Sequence, residues 1–126
     1  MAETIVKIEN LVKRYHELVA VDHFNLTVSK GEILGLLGPN GSGKTTTMNC
    51  LLSLLAYEIG SIEVFGKPMK PDSYDLKRNI GVVFQNVAVF DTLTVQENID
   101  YFCGLYIKDK KLRRQYVAEA VEFAGL

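Results

Sequence analysis

The sequence predicts an α/β fold in which an antiparallel β part lies beside a partial parallel core sheet with helices. Three observations predict it: segments that alternate between apolar and polar residues, short continuous apolar runs, and a glycine-rich loop between one such run and a helix. Alternation is typical of a strand with one solvent face, and a continuous run is typical of a parallel strand buried on both faces. The 126 residues suit one domain or part of a larger one.

The antiparallel part is predicted from three segments with strand-like patterns. They lie near residues 5–11, 23–28 and 60–65. The clearest alternation places Phe24, Leu26 and Val28 on one face. Gly31 then supplies a tight turn, because glycine adopts a positive φ at no steric cost.

The parallel core is predicted from two apolar runs. Ile33–Leu37 is continuous and apolar apart from Gly35, and a second strand is expected over Asn79–Phe84. Both runs fit strands that are covered on both faces.

Three main helices are expected. The first follows the glycine loop, from about Gly43 to Leu55, with Met48, Leu51, Leu52 and Leu55 on one face. Thr94 and Glu97 form a capping box for a second helix that ends near Tyr106. Asp109 is expected to cap the third, whose apolar stripe fits core packing better than partner docking. The stripe comprises Leu112, Tyr116, Val117, Ala120, Val121 and Ala124.

Net charge, cysteine content and the lengths of the apolar runs indicate which partners and which compartment the protein has. The net charge of −1 gives no broad basic field, so no nucleic acid partner is expected. The two cysteines, Cys50 and Cys103, are interpreted as reduced, mostly buried thiols of a cytosolic protein. The N-terminus lacks the pattern of a signal peptide, and the apolar runs are too short to span a bilayer.

The glycine loop carries the chemistry. Residues 38–45 match the pattern G-x-x-x-x-G-K-[ST], after a predicted strand and before a predicted helix. Gly41 and Gly43 allow the backbone N–H groups to surround phosphate oxygens, and the helix N-terminus adds partial positive charge. Lys44 supplies a full charge to the β- and γ-phosphates, and the Thr45 hydroxyl is suited to ligate Mg²⁺. The predicted ligand is Mg-ATP, bound by Gly38, Pro39, Asn40, Gly41, Ser42, Gly43, Lys44, Thr45 and Thr46.

With these residues in place, the sequence resembles the ATP-binding domain of ABC transporters. Gly38–Thr47 is similar to that family's phosphate loop, and the resemblance extends along the whole chain. It implies that Tyr15 stacks on adenine and that Val21 touches the adenine ring or ribose. Gly81-Val82-Val83-Phe84-Gln85 resembles the entry to the Q-loop, so Gln85 is expected to contact Mg²⁺ and the attacking water. Gln85 and Lys44 are therefore the expected catalytic residues.

The sequence departs from the family pattern at two points. Tyr57-Glu58-Ile59 replaces the usual Pro-Thr-Ser type of turn. The L-S-G-G-Q signature, the strand ending in Asp-Glu (Walker B) and the switch histidine are also absent from residues 1–126. These residues are therefore expected to be the N-terminal part of an ABC-type nucleotide-binding domain.

The resemblance implies partners and a direction of transport. The expected partners are a second nucleotide-binding domain and a transmembrane permease, which would hold the protein on the cytoplasmic face of the membrane. The segment Leu93–Asn98 together with Leu105-Tyr106 resembles drug and antibiotic-resistance exporters more than amino-acid importers.

Two functions from different classes remain open. One is an ATPase subunit that energises transport, and the other is a truncated nucleotide-binding fragment without turnover. A small-molecule kinase is disfavoured, because no segment resembles a substrate lid or an arginine-rich phosphate site. The 126-residue chain alone is expected to be inactive as an ATPase, since phosphoryl transfer needs charge stabilisation from several sides.

Overall fold

In the computed structural model of the chain, which describes residues 3–39, 41–83 and 89–126, the N-terminal alternating segments form a long hairpin. Its strands are β1 (Thr4–Tyr15) and β2 (Leu18–Ser29), which pair antiparallel. β3 (Ile59–Val64) pairs with the other edge of β1, and the short β4 (Lys67–Pro68) completes a sheet of order β2-β1-β3-β4. The predicted antiparallel part is confirmed.

The chain divides into two units, and this sheet belongs to the first, Met1–Ile80. The core of the unit lies on one face of the sheet, under helix α1 (Lys44–Leu51) and the short α2 (Tyr74–Lys77). Its buried members are Ile8, Leu11, Val21, Cys50, Ile62, Val64, Met69 and Leu76. Burial raises the pKa of the Cys50 thiol, which is therefore a neutral core group.

β3 approaches β1 closely at Gly60. Gly60 has a φ of 112°, and a Cβ atom there would lie 2.7 Å from the carbonyl oxygens of Glu9 and Asn10. The register between β1 and β3 shifts between Glu9 and Val12, and Asn10 itself has a φ of 51°. Only glycine fits this approach, because any side chain would overlap the β1 backbone.

Helix α1 is shorter than the sequence predicts and buries a different face. It ends at Leu51, not Leu55, since the chain turns at Ser53 with a φ of 57°. Thr47 and Cys50 are its buried residues, whereas Met48, expected on the apolar face, is 44% exposed. Leu52, just beyond the helix, is buried as predicted.

The two predicted core strands do not form in the described residues, and this part of the prediction is wrong. Residues 32–39 and 79–83 pair with no strand, and Ile33 and Leu37 are 99% and 95% exposed. A parallel strand needs hydrogen-bonded neighbours and covered faces. No described strand lies beside either run to supply hydrogen bonds, and Ile80 of the second run packs instead against the core of the first unit.

The second unit, Gly81–Leu126, contains helices α3 (Val95–Gly104) and α4 (Lys110–Phe123). Both predicted caps are confirmed: Thr94 forms a capping box with Glu97, and the Asp109 carboxylate accepts from the backbone N–H groups of Lys111 and Leu112. The α4 stripe is buried only at Val117, and Leu112 and Tyr116 are 40% and 45% exposed. Across the described ranges, no helix has the length and apolar character needed to cross a membrane.

The capping box gives a direct test of local stability. The Thr94 hydroxyl accepts from the Glu97 N–H at 3.1 Å, and the Glu97 carboxylate accepts from the Thr94 N–H at 2.9 Å. We expect Thr94→Ala to lower the free energy of unfolding of this unit by about 1 kcal/mol, because a cap is lost. Urea unfolding followed by circular dichroism measures this loss in the free energy of unfolding. Thr94→Ser retains the hydroxyl, so equal losses in both variants would contradict the capping account.

Candidate phosphate-binding site

The phosphate loop leads directly into the N-terminus of α1. Gly41 and Gly43 both have left-handed backbones, with φ of 87° and 95°. Gly43 is the N-cap residue, and no side chain caps the helix. The first intrahelical bond runs from the Thr47 N–H to the Gly43 carbonyl at 2.8 Å. The N–H groups before it therefore have no intrahelical acceptor and are available to an anion.

A bulge in β2 positions the start of this helix. Val19 pairs with Arg14 and Val21 pairs with Lys13, so Ala20 is an extra residue between them. A Cβ atom on Gly43 would lie 2.6 Å from the Ala20 carbonyl oxygen and 3.5 Å from Val21 Cγ2. Glycine is thus required at residue 43, both for its φ and for this backbone contact.

Lys44 is half-buried and folds back over its own loop. Its Nζ donates a hydrogen bond to the Gly38 carbonyl. Within the same turn, the Ser42 N–H donates to the Pro39 carbonyl at 3.1 Å. A Cβ atom on Gly38 would lie 2.6 Å from Ser42 Oγ, so the turn is closely packed. The ammonium is consequently held at the loop, where a phosphate group could replace the carbonyl as its partner.

The three threonines after Lys44 differ in exposure. Thr45 is exposed, Thr46 is intermediate and Thr47 is 5% exposed. The Thr45 hydroxyl is thus accessible to a cation or a phosphate. Within the described ranges no group of three or more His, Cys, Asp or Glu side chains is placed to hold a metal. A hydroxyl combined with phosphate oxygens fits Mg²⁺, which prefers oxygen ligands and retains several waters.

Tyr15 lies at the turn end of β1, on the same hairpin as the bulge. Its side chain is 43% exposed, and the Lys13 ammonium lies 5.2 Å from the centre of its ring. Val21 is only 6% exposed and belongs to the core, which leaves little of it for contact with a ligand. The structure therefore brings Gly43, at the start of α1, to the β1–β2 hairpin that carries Tyr15.

Two predicted site residues, Asn40 and Gln85, lie outside the described residues. Sequence reasoning in turn missed Ala20 and Lys13. The signal for Lys13 was available, because residues i and i+2 of a strand share a face. No sequence signal identified Ala20, because alanine is not a residue type that marks a β-bulge.

A separate cleft of about 610 Å³ lies between α3 and α4 in the second unit. Its lining includes Glu97, Asp100, Arg113 and Arg114, and it contains none of the site residues predicted from the sequence. The Arg113 guanidinium pairs with Asp100 at 2.9 Å. This cleft is a polar surface between two packed helices.

Comparison with known proteins agrees with the loop geometry. A family model described as ABC transporter matches residues 21–126. The chain is 34% identical over 124 residues to the probable multidrug ABC transporter ATP-binding protein YbhF of Escherichia coli, covering 98% of this chain and 22% of that protein. It is 37% identical over 128 residues to the osmoprotectant import ATP-binding protein OsmV of Salmonella typhimurium, covering 97% and 34%.

A solved structure shares the fold. It is the dimeric post-hydrolysis state of the ATP-binding cassette MJ0796 bound to ADP and Pi, with a TM-score of 0.77 and 27% identity over 97% of this chain and 58% of that one. This likeness confirms the predicted α/β fold class, although the two core strands do not form in the described residues. The matched family model, the relatives and the shared fold together show that the chain belongs to the ABC transporter family.

Proposed function

We propose that the chain binds Mg-ATP through residues 38–46 as part of the ATPase subunit of an ABC transporter. The observation that carries this proposal is the start of α1, where an uncapped helix N-terminus meets a left-handed Gly43 and the ammonium of Lys44. Free N–H groups, the helix dipole and a cation converge there, and each favours phosphate.

Each residue of the loop has a proposed role. The backbone N–H groups of Gly41, Gly43 and Lys44 donate to phosphate oxygens. The Lys44 ammonium exchanges the Gly38 carbonyl for the β- and γ-phosphates, and Thr46 donates to the α-phosphate. Pro39, Asn40 and Ser42 complete the proposed set of phosphate-binding residues. Mg²⁺, held by Thr45 and Gln85, would neutralise charge on the phosphate oxygens.

The hairpin supplies the base site in this proposal. The half-exposed Tyr15 offers its ring to adenine, whereas Val21 is nearly buried beside Gly43 and would add only a small apolar contact. Stacking on an aromatic ring uses the face of the base and is therefore tolerant of base identity.

For transport and turnover, the proposal includes partners of this chain. We propose that it is the N-terminal part of a nucleotide-binding domain that pairs with a second copy and with a permease on the cytoplasmic face of the membrane, in an exporter. The resemblance of residues 93–98 and 105–106 to exporters supports the direction, and the dimeric relative with ADP and Pi supports pairing. Gln85 and Lys44 would act in hydrolysis within that assembly.

The alternative is a fragment that binds nucleotide without turnover. Its support is that residues 38–46 would contact the phosphates from one side, whereas phosphoryl transfer needs stabilisation from several sides. Phosphate release by the purified chain tests whether the 126 residues have turnover of their own. We expect Mg-ATP binding with no steady-state release, and release abolished by Lys44→Ala would instead assign ATPase activity to the 126 residues.

Substitution of Tyr15 tests the base site. We expect Tyr15→Ala to weaken binding of ATP and GTP to a similar degree, by about 1–3 kcal/mol, because stacking on the ring face is lost. Tyr15→Phe keeps the ring and should bind as the unaltered chain does. Calorimetric titration with both nucleotides measures it. If Phe and Ala weaken binding equally, the hydroxyl and not the ring makes the contact.

A further inference from the structure

We infer that Glu58 is a positioning residue for the nucleotide base: it anchors Lys13, and Lys13 in turn holds the ring of Tyr15. The inference rests on the proposed function, since it concerns the same site. Its basis is a set of contacts that join the turn before β3 to the end of β1.

Glu58 is attached to β1 by three contacts. Its N–H donates to the Val12 carbonyl at 3.0 Å. One carboxylate oxygen accepts from the Arg14 N–H at 3.1 Å, and the other lies 3.7 Å from the Lys13 ammonium. The Arg14 N–H lowers the pKa of the Glu58 carboxyl, which favours the anionic form that pairs with lysine. These contacts span the residues just before Tyr15.

Lys13 connects Glu58 to Tyr15, because its ammonium lies near both the Glu58 carboxylate and the Tyr15 ring. Residues 13 and 15 share one face of β1, and the extra residue of the bulge in this region, Ala20, lies on β2. The Lys13 side chain is only 12% exposed, and its ammonium lies 5.2 Å from the ring centre. A cation over an aromatic face is attracted to it, so the lysine restrains the ring.

Tyr15 is restrained by Lys13 and is still accessible. Because the Lys13 side chain is nearly buried while Tyr15 as a whole residue is 43% exposed, Tyr15 retains surface that a base can reach. Restraint before binding reduces the entropy lost when the base stacks. Removing Glu58 should therefore weaken ligands that carry a base and leave ligands with phosphates alone unaffected.

Calorimetry on the 126-residue chain tests this with Glu58→Gln. We expect about 3- to 10-fold weaker binding of Mg-ATP and unchanged or slightly tighter binding of Mg-tripolyphosphate. The sign is informative, because removal of a negative charge alone would favour an anion. Glu17→Gln, in the exposed hairpin turn, removes the same charge and should not weaken Mg-ATP. In a Tyr15→Ala background, Glu58→Gln should have no further effect on Mg-ATP.

Fluorescence tests the positioning without any nucleotide. The chain has no tryptophan, so Tyr15→Trp places a single reporter at the ring position. We expect Glu58→Gln to lower the anisotropy of Trp emission in this variant, while Glu17→Gln leaves it unchanged. Unchanged anisotropy together with unchanged Mg-ATP affinity would overturn the inference. If the unaltered chain fails to bind Mg-ATP, the proposed function fails, and the anisotropy still decides whether Glu58 positions residue 15.

Discussion

Lys44→Ala is expected to weaken Mg-ATP binding by roughly 100-fold, or about 3 kcal/mol, since a charge-assisted contact to phosphate is lost. Lys44 is the cation that the structure holds at the phosphate loop, bonded to the Gly38 carbonyl. Its loss removes the charge and also frees that carbonyl to face the bound anion. Isothermal calorimetry with Mg-ATP measures the change.

The control is a lysine outside the loop. Lys30 is exposed and precedes the Gly31 turn, so Lys30→Ala alters net charge by the same amount. We expect it to change affinity less than twofold at physiological salt, where exposed charges are screened. Equal affinities of the unaltered chain and Lys44→Ala would refute the phosphate-loop assignment.

Gly60→Ala is expected to lower the free energy of unfolding by about 3 kcal/mol or more, through steric overlap added to backbone strain. The added Cβ would lie 2.7 Å from two carbonyl oxygens of β1 and 2.8 Å from Leu11 Cα. Backbone atoms of a central strand cannot move away as a flexible side chain can. Chemical unfolding of the first unit, followed by circular dichroism, measures the loss.

Gly66→Ala is the matched control. Gly66 has a φ of 75°, but a Cβ atom there would meet nothing within 4 Å. We therefore expect Gly66→Ala to lower the free energy of unfolding by about 1–2 kcal/mol, because only the left-handed backbone conformation disfavours alanine there. Equal losses in the two variants would show that β3 does not approach β1 as closely as the structure indicates.

Local patterns predicted the antiparallel sheet well but underestimated its extent. Alternation located β1 and β2, and the glycines at residues 60 and 66 located β3. The hairpin that joins β1 to β2 was missed. Its two turn residues are His16 and Glu17, and His16 has a φ of 56° without the Asn-Gly or Asp-Gly signal that identifies such turns.

For the continuous apolar runs, the sequence predicted strands that the structure does not contain in the described residues. Ile33–Leu37 has the composition of a buried strand, yet it is largely exposed. A strand of this kind is stabilised by its neighbours and not by its own sequence. Apolar composition therefore predicts that a segment is compatible with a parallel sheet. It does not predict that neighbouring strands are present among the described residues.

The candidate site was predictable where chemistry fixes the spacing. The interval from Gly38 to Thr45 specifies both the loop and the helix that follows, and both occur. What the sequence did not reveal are contacts made through folding: Ala20 against Gly43, and Glu58 against Lys13. In the sequence, the turn at Tyr57-Glu58-Ile59 is distinguished only by its departure from the family pattern. In the structure, the Glu58 carboxylate contacts Lys13, which in turn contacts the Tyr15 ring.

Amide chemical shifts upon addition of Mg-ATP report directly on which backbone N–H groups meet the phosphates. In a ¹⁵N-labelled sample, we expect the backbone amides of Gly41, Gly43, Lys44, Thr45 and Thr46 to shift with Mg-ATP and with Mg-tripolyphosphate. The Gly66 amide should stay unchanged, and AMP should shift the loop amides little because it lacks the β- and γ-phosphates. Loop amides that do not respond to Mg-ATP, or that respond equally to AMP, would contradict phosphate binding at the start of α1.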